Sequence, residues 1–225
     1  MSEIRTTRAE AGHASDPDAP LMRSPVSRLH GELGARFELE AGWELPASYG
    51  DPDKERALML EQVAVADVTA RGKIDLRGRL DAAVALATGA ELLARISDQW
   101  ALLLAPPGPV GGRVGELEAR VGSAAMVTDA THLLAGFVLA GPRLGDALAR
   151  LTGWDPSTLA PKEAAGAPIA QVRAVILRRD LELPAIEVYV ATEFARFVWR
   201  TILGVVQGLG GGPSGWTALR EQGWL

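Results

Sequence analysis

The sequence predicts an α+β protein built on an internal duplication. Two observations predict it: one segment occurs twice, and each copy opens the same order of strand, helix, strand, strand, helix. Residues 65–89 read VADVTARGKIDLRGRLDAAVALATG, and residues 127–153 read VTDATHLLAGFVLAGPRLGDALARLTG. In both, an Asp and a Thr stand two apart: Asp67 and Thr69, then Asp129 and Thr131. A short apolar run then ends in Gly78 or Gly141, and a helical pattern carrying Asp81 or Asp146 closes in Thr-Gly. Two copies point to a duplication, because a solenoid needs at least three. The element order is ferredoxin-like, with helices on one face of an antiparallel sheet. We expect a flexible tail over residues 1–24 and one domain over 25–225, its two pseudo-repeats spanning about 65–127 and 128–207.

The elements follow in order. Polar residues with Asp16-Pro17 and Ala19-Pro20 as breakers make up the tail. Val26, Leu29 and Leu33 fit a short helix, and Phe37, Leu39 and Ala41 alternate with charges as in a strand. Trp43 and Tyr49 flank Pro46 in an expected loop. Residues 53–65 carry a helical apolar pattern after Asp51-Pro52. In the first copy, Lys73 to Arg77 reads as a strand, Leu80 to Ala87 as a helix, and 90–96 with 99–105 as a hairpin. Val114, Leu117 and Val121 mark a second helix, and 124–127 a closing strand. In the second copy, 136–140 is a strand and Leu144, Ala147, Leu148 and Leu151 a helix. A loop over 154–168, a hairpin of 170–177 with 186–191, and a helix over 193–206 follow. Gly208 to Pro213 reads as a flexible turn before an amphipathic segment with Trp216, Leu219 and Trp224.

Composition excludes several function classes. The net charge of −5 and pI near 5.3 argue against non-specific nucleic-acid binding, which needs Lys and Arg against phosphate. With no Cys there is no disulfide, thiolate nucleophile or Cys-ligated zinc. The three His (His13, His30, His132) lack metal-site spacing. No apolar run reaches the ~20 residues of a membrane span, and the N-terminus lacks a signal-peptide core, so a soluble, cytoplasmic protein is expected. No GxGxxG follows a strand, so neither flavin nor NAD is expected on this chain, and Gly208 to Gly212 lacks the GK[ST] of a phosphate loop. Asp67 and Asp129, being repeated, read as residues that turn the backbone. A general-base role for His132 finds no nucleophile at matching spacing.

Four segments, in order, resemble the glycine-cleavage T-protein family of folate-dependent aminomethyltransferases, which also includes the folate domains and the gamma subunit of heterotetrameric sarcosine oxidase. They are LHGELGARFELEAGWELPASYG (29–50), with Gly42-Trp43-Glu44-Leu45-Pro46 and Tyr49-Gly50; VADVTARGKIDLRGRLDA (65–82); IEVYVATEFARFVWRTIL (186–203); and GGPSGWTALREQGWL (211–225). The resemblance implies a tetrahydrofolate pocket between the pseudo-repeats, with Glu187 at the position whose carboxylate holds the pterin ring. Such a carboxylate can accept two hydrogen bonds from the ring's amino and N–H groups. Arg220 matches an Arg of the family's last motif and could bind the glutamate tail or a partner's carboxylate. Trp43 and Tyr49 could line a ring-binding cleft, or pack. Against these stand blander readings: Glu187 as a solvated strand residue, Arg220 as an exposed helix Arg, Arg178 and Arg179 as a solvated hairpin tip.

The chain also departs from the family pattern. The family's catalytic Asp lies in a Thr-Asn-Asp stretch, where Ala87-Thr88-Gly89 here runs directly into Ala90-Glu91. The Arg-Thr-Gly-Tyr-Thr-Gly-Glu run is replaced by Arg178-Arg179-Asp180-Leu181-Glu182, and the first Arg of the last motif by Trp216. The family's C-terminal barrel domain is not expected. These departures are closest to the sarcosine oxidase gamma type, a non-catalytic subunit with larger oxidase or dehydrogenase partners. The alternatives are an aminomethyltransferase using Glu91 or Asp98 as its acid, and a structural protein with a vestigial pocket that self-associates through Phe194 and Phe197 or through Trp216 and Trp224.

Overall fold

Three sheets organise the chain, whose structure, a computed structural model, describes residues 21–80 and 87–224. Residues 81–86 of the helix expected over Leu80 to Ala87 and residues 1–20 of the expected tail lie outside the described residues, and the end of that tail is ordered instead as a strand, Met22–Arg23. The first sheet is small: β2 (Arg36–Glu40) pairs antiparallel with β3 (Trp43–Ser48), and β1 (Met22–Arg23) lies parallel on the other side of β3. α1 (Ser27–Glu32) stands between β1 and β2. The stretch from Trp43 to Ser48 is therefore a strand and not a loop. Pro46 is tolerated in it beside the register shift between Arg36 and Phe37. The expected apolar face of β2 is also reversed. Leu39 is two-thirds exposed, because Glu38 and Glu40 turn inward to Arg220.

α2 (Pro52–Glu61) begins where Asp51 accepts hydrogen bonds from the N–H groups of Asp53 and Lys54, with Pro52 in the first turn. It ends at Glu61, four residues sooner than its apolar pattern suggests. Val63 and Val65 instead lead into and join β4 (Ala64–Asp67), a strand buried on both faces. Such strands read as continuous apolar runs and merge with a preceding helical pattern.

The four-stranded sheet runs β6 (Leu92–Ser97), β7 (Trp100–Pro107), β5 (Arg71–Gly78), β8 (Ala125–Asp129), with antiparallel pairing throughout. α3 (Gly111–Val121) covers one face and packs Leu117 and Val121 against Ile74, Leu76 and Leu103. The six-stranded sheet runs β10 (Ala164–Ile169), β11 (Val172–Arg178), β12 (Ala185–Ala191), β9 (Leu134–Ala140), β4, β13 (Gly212–Pro213). α4 (Leu144–Leu151) and α5 (Ala195–Gly208) close one of its faces. There Val198, Trp199 and Ile202 meet Phe137, Leu139, Ile186 and Val188. The other face meets α6 (Trp216–Glu221), β3 and the four-stranded sheet.

β10 was expected as loop. Its Ala-Ala-Gly-Ala-Pro-Ile sequence has low strand propensity, and it holds as an edge strand by pairing with β11 over its whole length. β13, expected as part of a flexible turn, lies parallel to β4 instead.

The duplication reappears as reciprocal hydrogen bonding. Asp67 accepts from the N–H of Thr69 at 2.8 Å, and Asp129 from that of Thr131 at 2.8 Å. Each turn then grips the opposite copy's strand. Val68 N–H donates to the Gly136 carbonyl at 2.8 Å, and Gly136 N–H to Thr69 Oγ1 at 3.1 Å. In the mirror arrangement, Ala130 N–H donates to the Lys73 carbonyl at 2.8 Å, and Lys73 N–H to Thr131 Oγ1 at 3.1 Å. The paired Gly residues are required by geometry. Gly78 (φ 137°) and Gly141 (φ 141°) occupy backbone space that L side chains rarely adopt. A Cβ would also stand 2.4 Å from the Ala124 carbonyl oxygen in one and 2.3 Å from that of Gln62 in the other.

Candidate functional site

Glu187 lies at the centre of the site. On β12 its side chain shares a face with Ala185 and Tyr189, two residues to either side, while Ile186 and Val188 point into the helix-covered core. Glu187 is completely buried. Arg71, at the start of β5, donates from Nη1 to its Oε1 at 3.0 Å. Arg179, directly after β11, donates to the same oxygen, and the Tyr189 hydroxyl donates to Oε2. Burial alone would raise the Glu187 pKa, but the charges of Arg71 and Arg179, with the hydrogen bonds, hold it below the usual carboxylate range. Burial and the neighbouring carboxylate push the Tyr189 pKa well up, so its proton stays in place.

Arg71 and Arg179, the cations that hold Glu187, line a cleft of about 520 Å³ with Arg220, Glu40, Glu91 and Trp224 and with Gly89, Pro106 and Pro107, while Glu187 itself lies buried outside that lining. The cleft lies where the end of β7, the start of β6, the tip of the β11–β12 hairpin and the C-terminal segment converge. Its walls are held by ion pairs. Arg220 bridges Glu38 and Glu40, Arg113 holds Glu91 at 2.8 Å, and the Arg179 guanidinium lies over the Trp224 ring at 4.8 Å.

The structure thus brings Arg220 to the cleft, joins Glu187 to it only through Arg71 and Arg179, and leaves Trp43 and Tyr49 outside its lining. Trp43 is buried among Met59, Val138 and Trp216, with His132 stacked on it at 5.5 Å. Tyr49 hydrogen-bonds His30 Nδ1 at 2.8 Å, and His30 Nε2 meets Asp67 at 2.8 Å, so this chain fastens α1 and the end of β3 to β4. Burial opposes the Asp67 charge, but the His30 contact and bonds from Ser24 and Thr69 bring its pKa below the usual value. Two of the blander readings are overturned. Glu187 is not a solvated strand residue, and Arg179 is not a solvated turn, because its side chain lies against Glu187.

Sequence reasoning did not single out Arg71, Tyr189 or Lys73. Glu187 and Tyr189 stand two apart on a strand, which places them on one face. A buried Glu then demands a cation, but nothing local to β12 says that Arg71, 116 residues away, supplies it. Lys73 is fully buried between the two Asp-Thr turns, with Nζ donating to the Thr69 carbonyl at 2.6 Å. Burial lowers its pKa to about 7, with Asp67 and Asp129 opposing and Arg71 adding to the shift.

A folate pocket was expected here, and the residues do not fit a pterin read by Glu187. A carboxylate offers about four acceptor sites, and Arg71, Arg179 and Tyr189 take three of them inside a fully buried environment. The acids proposed for a transferase fare no better. Arg113 and Thr88 hold Glu91 ionised, its pKa below the usual range although burial opposes this. Asp98 is fully exposed at the β6–β7 turn and is not among the cleft-lining residues. Among the described residues no cluster of His, Asp or Glu could hold a metal, and no described helix is long and apolar enough to cross a membrane.

The fold is an α+β arrangement of three sheets, and it is shared with known proteins. The solved glycine cleavage system aminomethyltransferase T from Bartonella henselae superposes with a TM-score of 0.75 at 21% identity, over 90% of this chain and 62% of that one. A chain of the heterotetrameric sarcosine oxidase from Corynebacterium sp. U-96 superposes with a TM-score of 0.60 at 15% identity, over 85% of this chain and 97% of that one. In sequence, 58 residues are 36% identical to an aminomethyltransferase of Symbiobacterium thermophilum, and 62 residues are 39% identical to one of Mycobacterium leprae. These matches span only 16% and 17% of the relatives' lengths. No family model matches the chain. The resemblance read from the sequence is matched by these likenesses: short segments are similar to aminomethyltransferases, and the fold is that of aminomethyltransferase T and of the sarcosine oxidase chain.

Proposed function

We propose that this protein is a non-catalytic, gamma-type accessory chain of a sarcosine-oxidase-like assembly, cytoplasmic and working in one-carbon metabolism beside larger partners. On this reading one domain over 25–225 carries two ferredoxin-like pseudo-repeats, and the last residues of the segment expected as tail, Met22 to Ser24, join that domain through β1. The strand orders support it. β6-β7-β5-β8 has the ferredoxin order, and β11-β12-β9 repeats it with β4 in the fourth place. The observation that carries the functional reading is the occupation of Glu187 by three donors of its own chain. The side chain placed to hold a pterin is neutralised by Arg71 and Arg179 of the same chain. The near-complete coverage of a chain of comparable extent in the sarcosine oxidase structure fits the same reading.

Arg220 remains as a cleft-wall residue that a partner's carboxylate could engage in exchange for Glu38 and Glu40. The experiment is a one-carbon transfer assay with the purified chain, tetrahydrofolate and an aminomethyl donor. No transfer above the uncatalysed rate is expected. Turnover lost on Glu91→Ala would overturn the reading in favour of an aminomethyltransferase.

A further inference from the structure

We propose that the outer face of α5, continued by the groove beside it, is the surface on which a different, acidic-rimmed protein chain docks. Phe194 and Phe197 stand one helical turn apart on that face and are about half exposed, as is Leu133. These are three of the eight exposed large apolar side chains among the described residues. Leu133 is held beside the helix start because Thr192 N–H donates to its carbonyl at 3.0 Å, and Thr192 Oγ1 to that of His132 at 2.9 Å. Leu133 and Phe194 then form one lip of a groove of about 340 Å³ whose other walls include Trp100, Val172 and Arg173.

The duplication supplies an internal comparison. α3 follows the β6–β7 hairpin as α5 follows β11–β12, yet α3 exposes Glu116, Glu118, Ala119 and Arg120. The helix position therefore tolerates a solvated face, and the aromatic residues of α5 are not demanded by the fold. A contiguous exposed apolar patch of this kind marks an interaction surface.

Charge selects the partner. Arg173, Arg196 and Arg200 are exposed around the patch and make no ion pair among the described residues. The acids nearby are Asp75, already bound to Arg77 and Trp100; Asp129, which caps Thr131; and Glu193. A cluster of unpaired arginines is out of keeping with a chain of net charge −5. A second copy meeting this face to face would set Arg against Arg, as an isologous contact must. A different chain with an apolar anchor inside a rim of Asp and Glu satisfies both features. The proposal names the surface for the partner of the accessory role above, and it does not depend on what the cleft binds.

The test replaces Phe197 with photoreactive benzoylphenylalanine in the full chain, expressed in its own host, and sequences the cross-linked peptide. The expected product is a single peptide from another protein with Asp or Glu beside an apolar residue. Cross-linking should fall at least tenfold when Arg196→Glu and Arg200→Glu are combined, and stay within twofold for Leu39→Ser, an exposed apolar control elsewhere. The purified chain should sediment as a monomer. A cross-link to a second copy, a peptide without acids, equal yields in all variants, or no cross-link would each overturn the proposal. Circular dichroism of each variant separates loss of docking from loss of fold.

Discussion

At the scale of single residues, the chain's buried charges set its pH behaviour. Glu187 exchanges solvent for two guanidinium groups and a phenol, which leaves little net gain from the pair but a large penalty for breaking it. Glu187→Ala strands Arg71 and Arg179, and we expect a loss of about 3–5 kcal/mol in urea unfolding. Lys73 acts in the opposite direction. Its pKa is about 7 in the folded chain, because burial disfavours its charge, against about 10.4 when unfolded. Between these values the unfolded chain binds more protons, so stability rises with pH by up to about 1.4 kcal/mol per unit. Lys73→Met removes that rise, and denaturation at pH 7 and pH 9.5 should then give nearly equal stabilities. Asp67 and Glu187, both lowered, contribute stability that is present above their unfolded pKa values and is lost as pH falls through their folded ones. Little of this was legible in the sequence. A Lys at the second position after a turn looks like any strand Lys until the opposite copy's turn closes over it.

At the scale of elements, legibility followed periodicity. α3, α4 and α5 fall where the apolar spacing puts them, because each has one buried and one open face, and the two hairpins fall where a polar turn interrupts a pair of apolar runs. β4 was hidden because both of its faces are buried, β10 because small residues carry no strand signal, and β2 was inverted because a three-member ion cluster outweighed its apolar alternation. The Asp-Thr turns were read correctly as backbone devices, but their exchange between copies needed the third dimension. Thr69→Val and Thr131→Val each remove a cross-copy acceptor, and each should cost about 1 kcal/mol. Gly141→Ala meets both a positive φ and the Gln62 carbonyl. It should destabilise by well over about 1 kcal/mol, whereas Gly145→Ala in the first turn of α4, with open space around its Cβ position, should be neutral or mildly stabilising. Thermal melts of the pair separate backbone strain from general loss of glycine.

At the scale of the whole molecule, the two copies lock across one another and leave a cleft where their ends meet the C-terminal segment. Of the candidates Glu187 and Arg220, the fold brings Arg220 to that cleft and buries Glu187 behind Arg71 and Arg179; Trp43 is taken up by packing and Tyr49 by its bond to His30. What the sequence could not show is that the chain supplies its own cations to Glu187, since Arg71 and Arg179 come from different sheets. This internal neutralisation is expected to leave no pterin site at Glu187. Calorimetric titration of the full chain with tetrahydrofolate tests it most directly, run alongside Arg179→Ala and Glu187→Ala. No binding heat is expected at micromolar ligand with the wild-type chain. Micromolar affinity, about −8 kcal/mol, that disappears in Glu187→Ala would contradict it and show that Glu187 releases its arginines to hold the ring.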